Sequence, residues 1–309
     1  MQLASKAQDM TPGETSSQFF RLAAAVFEVI DDGIVVTDAE NAIIAVNPAF
    51  ERVTGYAAGE VIGRNPRILS SGRHTPAFYA EMWETLLTTG RWHGEVWNRR
   101  KSGELYVQRL TLSVIRGRDG RIVNHVGVFN DITEAKQLAE TASYRAHHDV
   151  LTGLPNRILF ADRLTQALAM ALRENRRLAL LFVDLDGFKE INDQFGHVTG
   201  DCVLEAVAAR MLQSVRDSDT VSRFGGDEFV ILLPDIRQTS DAQVAAEKVL
   251  IALTEPIDLD CGPVTIGASI GIAVFPANGT TAEALLRNAD AAMYAAKRGG
   301  KNRYVFGAH

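Results

Sequence analysis

The chain of 309 residues holds only two cysteines, Cys202 and Cys261. Two thiols build no disulfide framework, and their spacing fits no metal-ligand pattern, so both read as ordinary core or surface residues. Long apolar runs are missing too. A stretch such as Leu22–Ile30 falls well short of the roughly 18 residues that span a bilayer. Basic charge is not in excess: 32 Lys and Arg stand against 38 Asp and Glu, a formal net charge of −6. That balance excludes the positive field of a nucleic-acid binder, so any phosphate-bearing partner is held by local groups or by a metal. The start, MQLASKAQDMTPGETSSQFF, has one lysine and no apolar block, which fails as a secretory signal and reads as a frayed leader. A cytoplasmic protein without membrane insertion is the expectation. No GxxxxGK[ST] is present and no GxGxxG opens a helix after a strand, so neither common glycine-rich nucleotide loop is available. No repeat and no low-complexity segment interrupts the chain.

What is present suffices for two domains, since 46% of the residues are hydrophobic. From about Phe20 to Thr133 the alternating runs GIVVTD, AIIAVN, ELYVQRLTLSVI and IVNHVGVFND are interleaved with one or two short helical patterns. They predict an α+β domain, an antiparallel sheet flanked by helices. The segment DITEAKQLAETASYRAHHD lacks Pro and Gly and sets Ala135, Leu138 and Ala142 at heptad-like steps, which predicts a connecting helix. Beyond it the texture is that of an α/β domain. Helical periodicity fits Arg157–Arg173, Asp201–Arg216, Asp241–Thr254 and Ala282–Lys297. Strand-like runs fit Leu178–Asp184, Val221–Leu233, Val264–Val274 and Arg303–Phe306. The expected organisation is a leader over 1–19, a sensor-like domain over 20–133, a helical linker over 134–148 and the α/β domain over 149–309.

The chemistry lies in two acidic pairs. In RFGGDEFVILL, Gly225 and Gly226 between apolar runs predict a type I′ hairpin turn, because both central positions need positive φ. Phe229, Ile231 and Leu233 face one side, Val230 and Leu232 the other, so the outgoing strand is covered on both faces. Asp227 and Glu228 stand at its mouth and are expected to point in opposite directions. In LALLFVDLDGFKEIND, Asp184 ends a second buried run, where open α/β sheets place their ligands. Asp186, before Gly187, reads as a cap of the next helix. Two central strands that each end in an acid suit a hard divalent cation, Mg²⁺ or Mn²⁺, whose shell phosphate oxygens complete. Glycines beside the acids let backbone N–H groups approach a phosphate.

The motifs DVLTGLPNR (149–157), FVDLDGFKEINDQFGHVTGD (182–201), RFGGDEF (223–229), ASIGIA (268–273) and ADAAMYAAKRGGKNR (289–303) follow one another in this order. Together they resemble the GGDEF family of diguanylate cyclases, which join two GTP into cyclic di-GMP; the resemblance covers residues 142–309. It implies a nucleotidyl-cyclase-like central sheet surrounded by helices, a homodimer whose two sites face each other, and Mg²⁺ or Mn²⁺ on Asp184, the Leu185 carbonyl and Asp227. It further implies that Asp227 accepts the proton of the ribose 3′-hydroxyl. Lys189 would face charge developing on phosphate, with Glu228 a further ligand or positioning residue. Asn192 and Asp201 would select guanine, although alone they read as a helix-face Asn and an N-cap Asp. Gly225 and Gly226 would lie against the substrate. Lys297 and Lys301 would hold the triphosphate, the second standing where GGKN departs from the family's usual GRN and gives up bidentate geometry. Arg216 and Asp219 resemble the family's product-inhibition RxxD, the alternative being a solvated ion pair. Glu283-Ala284-Leu285 spells the name of a phosphodiesterase family, but too little chain follows for its barrel.

DDGIVVTDAENAIIAVNPAFERVTGY and VFNDITEAK resemble the beginning and end of a PAS domain, with a signalling helix beyond it. The stretch MWETLLTTGRWHGEVWNRRKSGELY is similar to flavin-binding PAS sensors, in which Trp92 and Asn98 would lie near the ring of FAD. Haem is the other ligand weighed, with His74 and His93 as candidates. The bland alternative is that Trp83, Trp92 and Trp97 pack a core and a dimer contact. Diguanylate cyclase under PAS control, inhibited by its product, is the expected function. A non-catalytic receptor for GTP or cyclic di-GMP is the alternative.

Overall fold

The computed structural model describes residues 12–259 and 261–308. The chain forms two compact units, Met1–Ala139 and Glu140–His309. In the first, α1 (Pro12–Val29) precedes β1 (Gly33–Asp38), β2 (Ile43–Val46), α2 (Pro48–Thr54), α3 (Ala58–Val61), a 3₁₀ turn at Pro66–Leu69, α4 (Pro76–Thr89), β3 (Arg91–Arg99), β4 (Leu105–Arg116) and β5 (Ile122–Asp131). The strands form one antiparallel sheet in the order β2-β1-β5-β4-β3. Its core is built from Ile43, Phe50, Val61, Leu69, Val96, Leu110 and Phe129. Local chemistry sets the boundaries. Asn47 caps α2 by accepting from the Phe50 amide at 2.9 Å, and Thr75 caps α4, with Pro76 at its first position.

Three features of this unit differ from the expectation. The leader proposed for 1–19 is helical from Pro12, while residues 1–11 lie outside the described part. Lacking an apolar block argues against a signal sequence, not against a helix. The helices α2, α3 and α4 exceed the one or two short patterns foreseen. Strand β3 was not foreseen, because its core-facing positions include Gly94 and Asn98 and so break apolar alternation.

The division between the units falls within α5 (Thr133–His147). There follow α6 (Arg157–Glu174), β6 (Arg177–Asp186), α7 (Phe188–Phe195), α8 (His197–Ser214), β7 (Thr220–Gly225), β8 (Glu228–Ile236), α9 (Thr239–Thr254), the small hairpin β9 (Ile257–Leu259) and β10 (Gly262–Val264), β11 (Gly267–Phe275), α10 (Ala282–Arg298) and β12 (Arg303–Phe306). The central sheet runs β12-β11-β6-β8-β7, with only the β11–β12 pair parallel. Both faces are covered. Val183, Leu185, Phe229 and Ile231 pack with Val203 and Val207 of α8 and with Ala246 and Val249 of α9. On the other face Leu180, Phe182, Val230 and Leu232 pack with Phe160 and Leu164 of α6 and with Leu285 and Met293 of α10. The alternation read along Phe229–Leu233 holds residue by residue.

The hairpin itself differs from the expected turn. A register shift between Arg223 and Gly225 pairs Gly225 with Glu228, so the loop residues are Gly226 and Asp227. Gly226 has φ +53°, but Asp227 is not in the left-handed region, so no type I′ turn forms. The cause is Phe224, whose ring packs against Phe160 and Phe182 at 5.2 and 5.9 Å between centroids and takes the residue out of the ladder. Helix α8 also begins earlier than expected. Gly200 sits inside it, so Asp201 is an interior helix residue and not an N-cap.

Candidate functional site

The site grows from two neighbouring strands. Asp184 of β6 lies opposite Glu228 of β8 in the antiparallel ladder, which places the two on the same face of the sheet. Asp227, in the turn, is free of strand alternation; its carbonyl accepts from the Leu185 amide at 3.2 Å. Asp227 and Glu228 were expected to point in opposite directions as neighbours on one strand; only Glu228, the first residue of β8, is on the strand, and it shares Asp184's face.

Asp184 is buried, at 6% exposure. Burial raises its pKa, the hydrogen bond from Lys297 opposes this, and the charges of Asp227 and Glu228 raise it again, for a net upward shift. The Lys297 ammonium lies 2.7 Å from Asp184 Oδ2. It reaches there because β11 and α10 approach closely: a Cβ on Gly271 would stand 1.9 Å from the Ala289 carbonyl oxygen and 2.2 Å from the Met293 nitrogen. Only glycine allows that contact, and Lys297 follows one turn after Met293. The Leu185 side chain is buried in the core shared with α8 and α9. Among the described residues no three His, Cys, Asp or Glu side chains gather closely enough to hold a metal by themselves.

Asp186 is not the helix cap expected of it. Gly187 occupies that position without a side-chain bond, while Asp186 accepts from Ser269 Oγ at 2.8 Å and from the Asn302 amide at 2.9 Å. It thus ties β6 to β11 and to the loop carrying Lys301, whose φ is +60°. The signal in the sequence was Ser269, in register with Asp184, but its meaning needs the strand order.

Lys189 stands exposed on the first turn of α7. Asn192, on the same helix, points its Oδ1 into α8, buried and without a hydrogen-bond partner. Gly200 makes room for it: a Cβ there would stand 1.9 Å from Asn192 Oδ1. Asp201 follows, exposed, on α8. Arg216 and Asp219 form a turn. Asp219 Oδ2 accepts from the Arg216 backbone N–H at 2.9 Å, and the Asp219 amide donates to the Arg216 carbonyl at 2.9 Å. No Arg216–Asp219 ion pair is found among the described residues.

In the first unit a cavity of about 440 Å³ lies against the sheet, lined by Leu69, Met82, Trp83, Asn98, Gln108, His125 and Phe129, among others. Asn98 is on its wall. Trp92 is not: it packs edge-on to Phe78 at 6.1 Å, and Trp83 takes the cavity position. Neither His74 nor His93 lines it. Three polar residues of the wall, Gln108, Thr37 and His125, have hydrogen-bond partners. Tyr106 donates to Gln108 Oε1 at 3.2 Å, and Thr37 Oγ1 is 3.3 Å from His125 Nδ1.

The class of protein is now defined by a sheet that brings acids to the mouths of two adjacent strands and meets them with an ammonium, and by a buried, unpartnered amide acceptor on the helix that follows the first of those strands. Comparison with known proteins gives the particular family. The model described as "Diguanylate cyclase, GGDEF domain" matches residues 146–303, just over half of the chain, and that of the PAS domain matches residues 31–134. This chain belongs to the GGDEF family. It is similar to the bifunctional diguanylate cyclase/cyclic di-GMP phosphodiesterase MucR of Pseudomonas aeruginosa, 51% identical over 161 residues, covering 52% of this chain and 23% of MucR. The probable diguanylate cyclase DgcE of Escherichia coli is 33% identical over 279 residues, covering 89% of this chain and 25% of DgcE. The chain thus spans about a quarter of the length of either relative. Among solved structures, the GGDEF domain of TpbB from Pseudomonas aeruginosa matches with a TM-score of 0.52 at 44% identity, covering 52% of this chain and 95% of that domain. Among the described residues no helix is long and apolar enough to cross a membrane.

Proposed function

We propose that this chain is a diguanylate cyclase, which condenses two GTP into cyclic di-GMP and releases two pyrophosphates. The observation that carries the reading is the placement of Asp184 opposite Glu228 in the β6–β8 ladder, beside the turn that holds Asp227, with Lys297 bonded to Asp184. A lone ammonium balances these acids only in part, which is the charge deficit a divalent cation fills. The donors are carboxylates without His or Cys, and three side chains do not enclose the spot, so a hard ion completed by carbonyl and phosphate oxygens fits. Asp184, the Leu185 carbonyl and Asp227 would hold it. Bound Mg²⁺ or Mn²⁺ would supply Lewis acidity toward the phosphate and the attacking hydroxyl.

The chain's own groups do the rest. Asp227 accepts the proton of the ribose 3′-hydroxyl of one GTP as that oxygen bonds to the α-phosphorus of the other. The α–β bridging bond breaks, and pyrophosphate leaves with its electron pair. Lys189, Lys297 and Lys301 face the negative charge of the phosphates. Asn192 Oδ1, a buried acceptor that lacks a donor, takes one from the guanine edge, and Asp201 takes another. Gly225 and Gly226 let the backbone approach the substrate. Each domain binds one GTP, so ring closure takes place between two copies in an isologous dimer.

The same reading assigns Arg216 and Asp219 to product inhibition, since the guanidinium is exposed and its backbone is fixed by the turn. It assigns the first unit to regulation by a ligand in its cavity, whose volume suits a small molecule. FAD is the ligand we propose for it from the resemblance, although of the two residues named there only Asn98, and not Trp92, is on the wall; the absorbance spectrum of the purified chain checks this. Asp227→Asn tests the chemistry. It should abolish turnover, by at least about a thousandfold, with an unchanged melting temperature; retained turnover would remove Asp227 from its role.

A further inference from the structure

One half-buried ion pair takes no part in the chemistry above, yet it ends beside it. Arg223 is 11% exposed in its side chain, and its partner Asp149 is 23% exposed. The Arg223 Nη1 donates to Asp149 Oδ1 at 2.9 Å. Its Nε and Nη2 both donate to the Gly226 carbonyl, at 3.0 and 2.8 Å. That carbonyl belongs to the peptide that leads into Asp227. A peptide is planar, so holding its oxygen holds the amide that carries the Asp227 Cα. The peptide on the far side is held as well, by the Leu185 amide at 3.2 Å from the Asp227 carbonyl. With both flanking peptides held, the direction of the Asp227 Cα–Cβ bond, from which its carboxylate swings, is held.

The other end of the pair is anchored to the helix that enters this unit. Asp149 Oδ1 also accepts from the Thr152 amide at 2.9 Å and hydroxyl at 2.7 Å. The Arg223 amide donates to the Pro155 carbonyl at 3.0 Å. Asn156 then closes the last turn of α5: its amide donates to the His147 carbonyl at 2.9 Å and its Nδ2 to the Ala146 carbonyl at 2.9 Å. Hydrogen bonds and a short loop thus join the end of α5 to the acidic turn.

We infer that Arg223 is a positioning residue for Asp227 and that Asp149 holds it in place. The inference rests on the cyclase reading of Asp227. The geometry asks for arginine in particular, because one planar guanidinium faces two partners at once and a lysine ammonium offers no such fork.

The test uses the full chain as wild type, Arg223→Lys, Asp149→Asn and the charge swap Asp149→Arg/Arg223→Asp. Turnover of GTP with Mg²⁺ is measured beside Mn²⁺ binding by electron paramagnetic resonance, which needs no turnover, and beside thermal unfolding. Arg223→Lys should lower kcat and Mn²⁺ affinity each about tenfold or more, with KM for GTP unchanged within about threefold on the same grounds. The swap should recover the melting temperature but neither kcat nor Mn²⁺ affinity, since an arginine at 149 is tied to a different backbone position and leaves the Gly226 carbonyl unheld. Unchanged kcat and Mn²⁺ affinity in Arg223→Lys would overturn the inference. So would a swap that restores both, because the pair would then be merely structural. If the wild type consumes no GTP, the cyclase reading falls and the Mn²⁺ comparison alone decides the role of Arg223.

Discussion

Gly200→Ala should separate folding from substrate recognition. The added Cβ would stand 1.9 Å from Asn192 Oδ1, 2.9 Å from its Cγ and 3.3 Å from Phe188 Cζ. The first two atoms end a flexible side chain, so Asn192 turns away and the backbone of α7 and α8 stays. Three effects on stability nearly cancel. Alanine in a helix interior gains about 1 kcal/mol over glycine. Asn192 Oδ1, now buried without a partner, escapes a penalty of about 1–3 kcal/mol, while the displaced rotamer and the looser packing cost a similar amount. The melting temperature should therefore hold within a few degrees or rise. Recognition has no such compensation. Losing one buried hydrogen bond to the base is worth about 1–3 kcal/mol, so KM for GTP should rise roughly 5- to 150-fold with a smaller change in kcat. Steady-state kinetics and differential scanning fluorimetry on one preparation read both quantities. An unchanged KM would refute the placement of guanine against Asn192. A melting temperature lowered by ten degrees would refute the packing argument.

Burial raises the pKa of Asp149, but the Thr152 hydroxyl, the Thr152 amide and Arg223 outweigh it and leave a net lowering. A lowered folded value means that the stabilisation is present above the ordinary aspartate value of 3.8 and is lost as pH falls through the folded one. Asp149→Asn should accordingly flatten the acid limb of the melting temperature against pH, and an unaltered limb would exclude Asp149 as its source. Arg216→Ala should relieve inhibition by added cyclic di-GMP while leaving the initial rate within about twofold, as expected of an exposed side chain outside the acidic turn. If inhibition persists, the Arg216–Asp219 turn is only a lead into β7.

Three strands were legible in the sequence to the residue, Gly33–Asp38, Ile122–Asp131 and Arg303–Phe306, whereas the run read as Leu178–Asp184 extends over Arg177–Asp186 and that read as Val264–Val274 divides between Gly262–Val264 and Gly267–Phe275. The two-sided covering of β8 was legible too, because alternation along a strand follows from its pleat alone. What the sequence hid depends on contacts between distant elements. The loop of the hairpin shifts by one residue because Phe224 packs between Phe160 and Phe182, and nothing local to RFGGDEF announces that. Gly200 looks like a helix breaker, but α8 continues through it because Asn192 needs the space. Asp186 looks like a cap until β11 is known to lie beside β6. The acids themselves stood out by type and position, whereas the geometry around them did not. Trp92 and Trp83 could be told apart only once the cavity existed. The pair Asp149 and Arg223 lies 74 residues apart in sequence and belongs to two motifs that gave no sign of touching.

The central claim is that these acids join two GTP. Purified chain incubated with GTP and Mg²⁺, with the nucleotides separated by chromatography and identified by mass, tests it most directly. The account predicts cyclic di-GMP and two equivalents of pyrophosphate. GTP recovered intact under Mg²⁺ and under Mn²⁺, from a chain that nonetheless binds it, would contradict the account and favour a receptor.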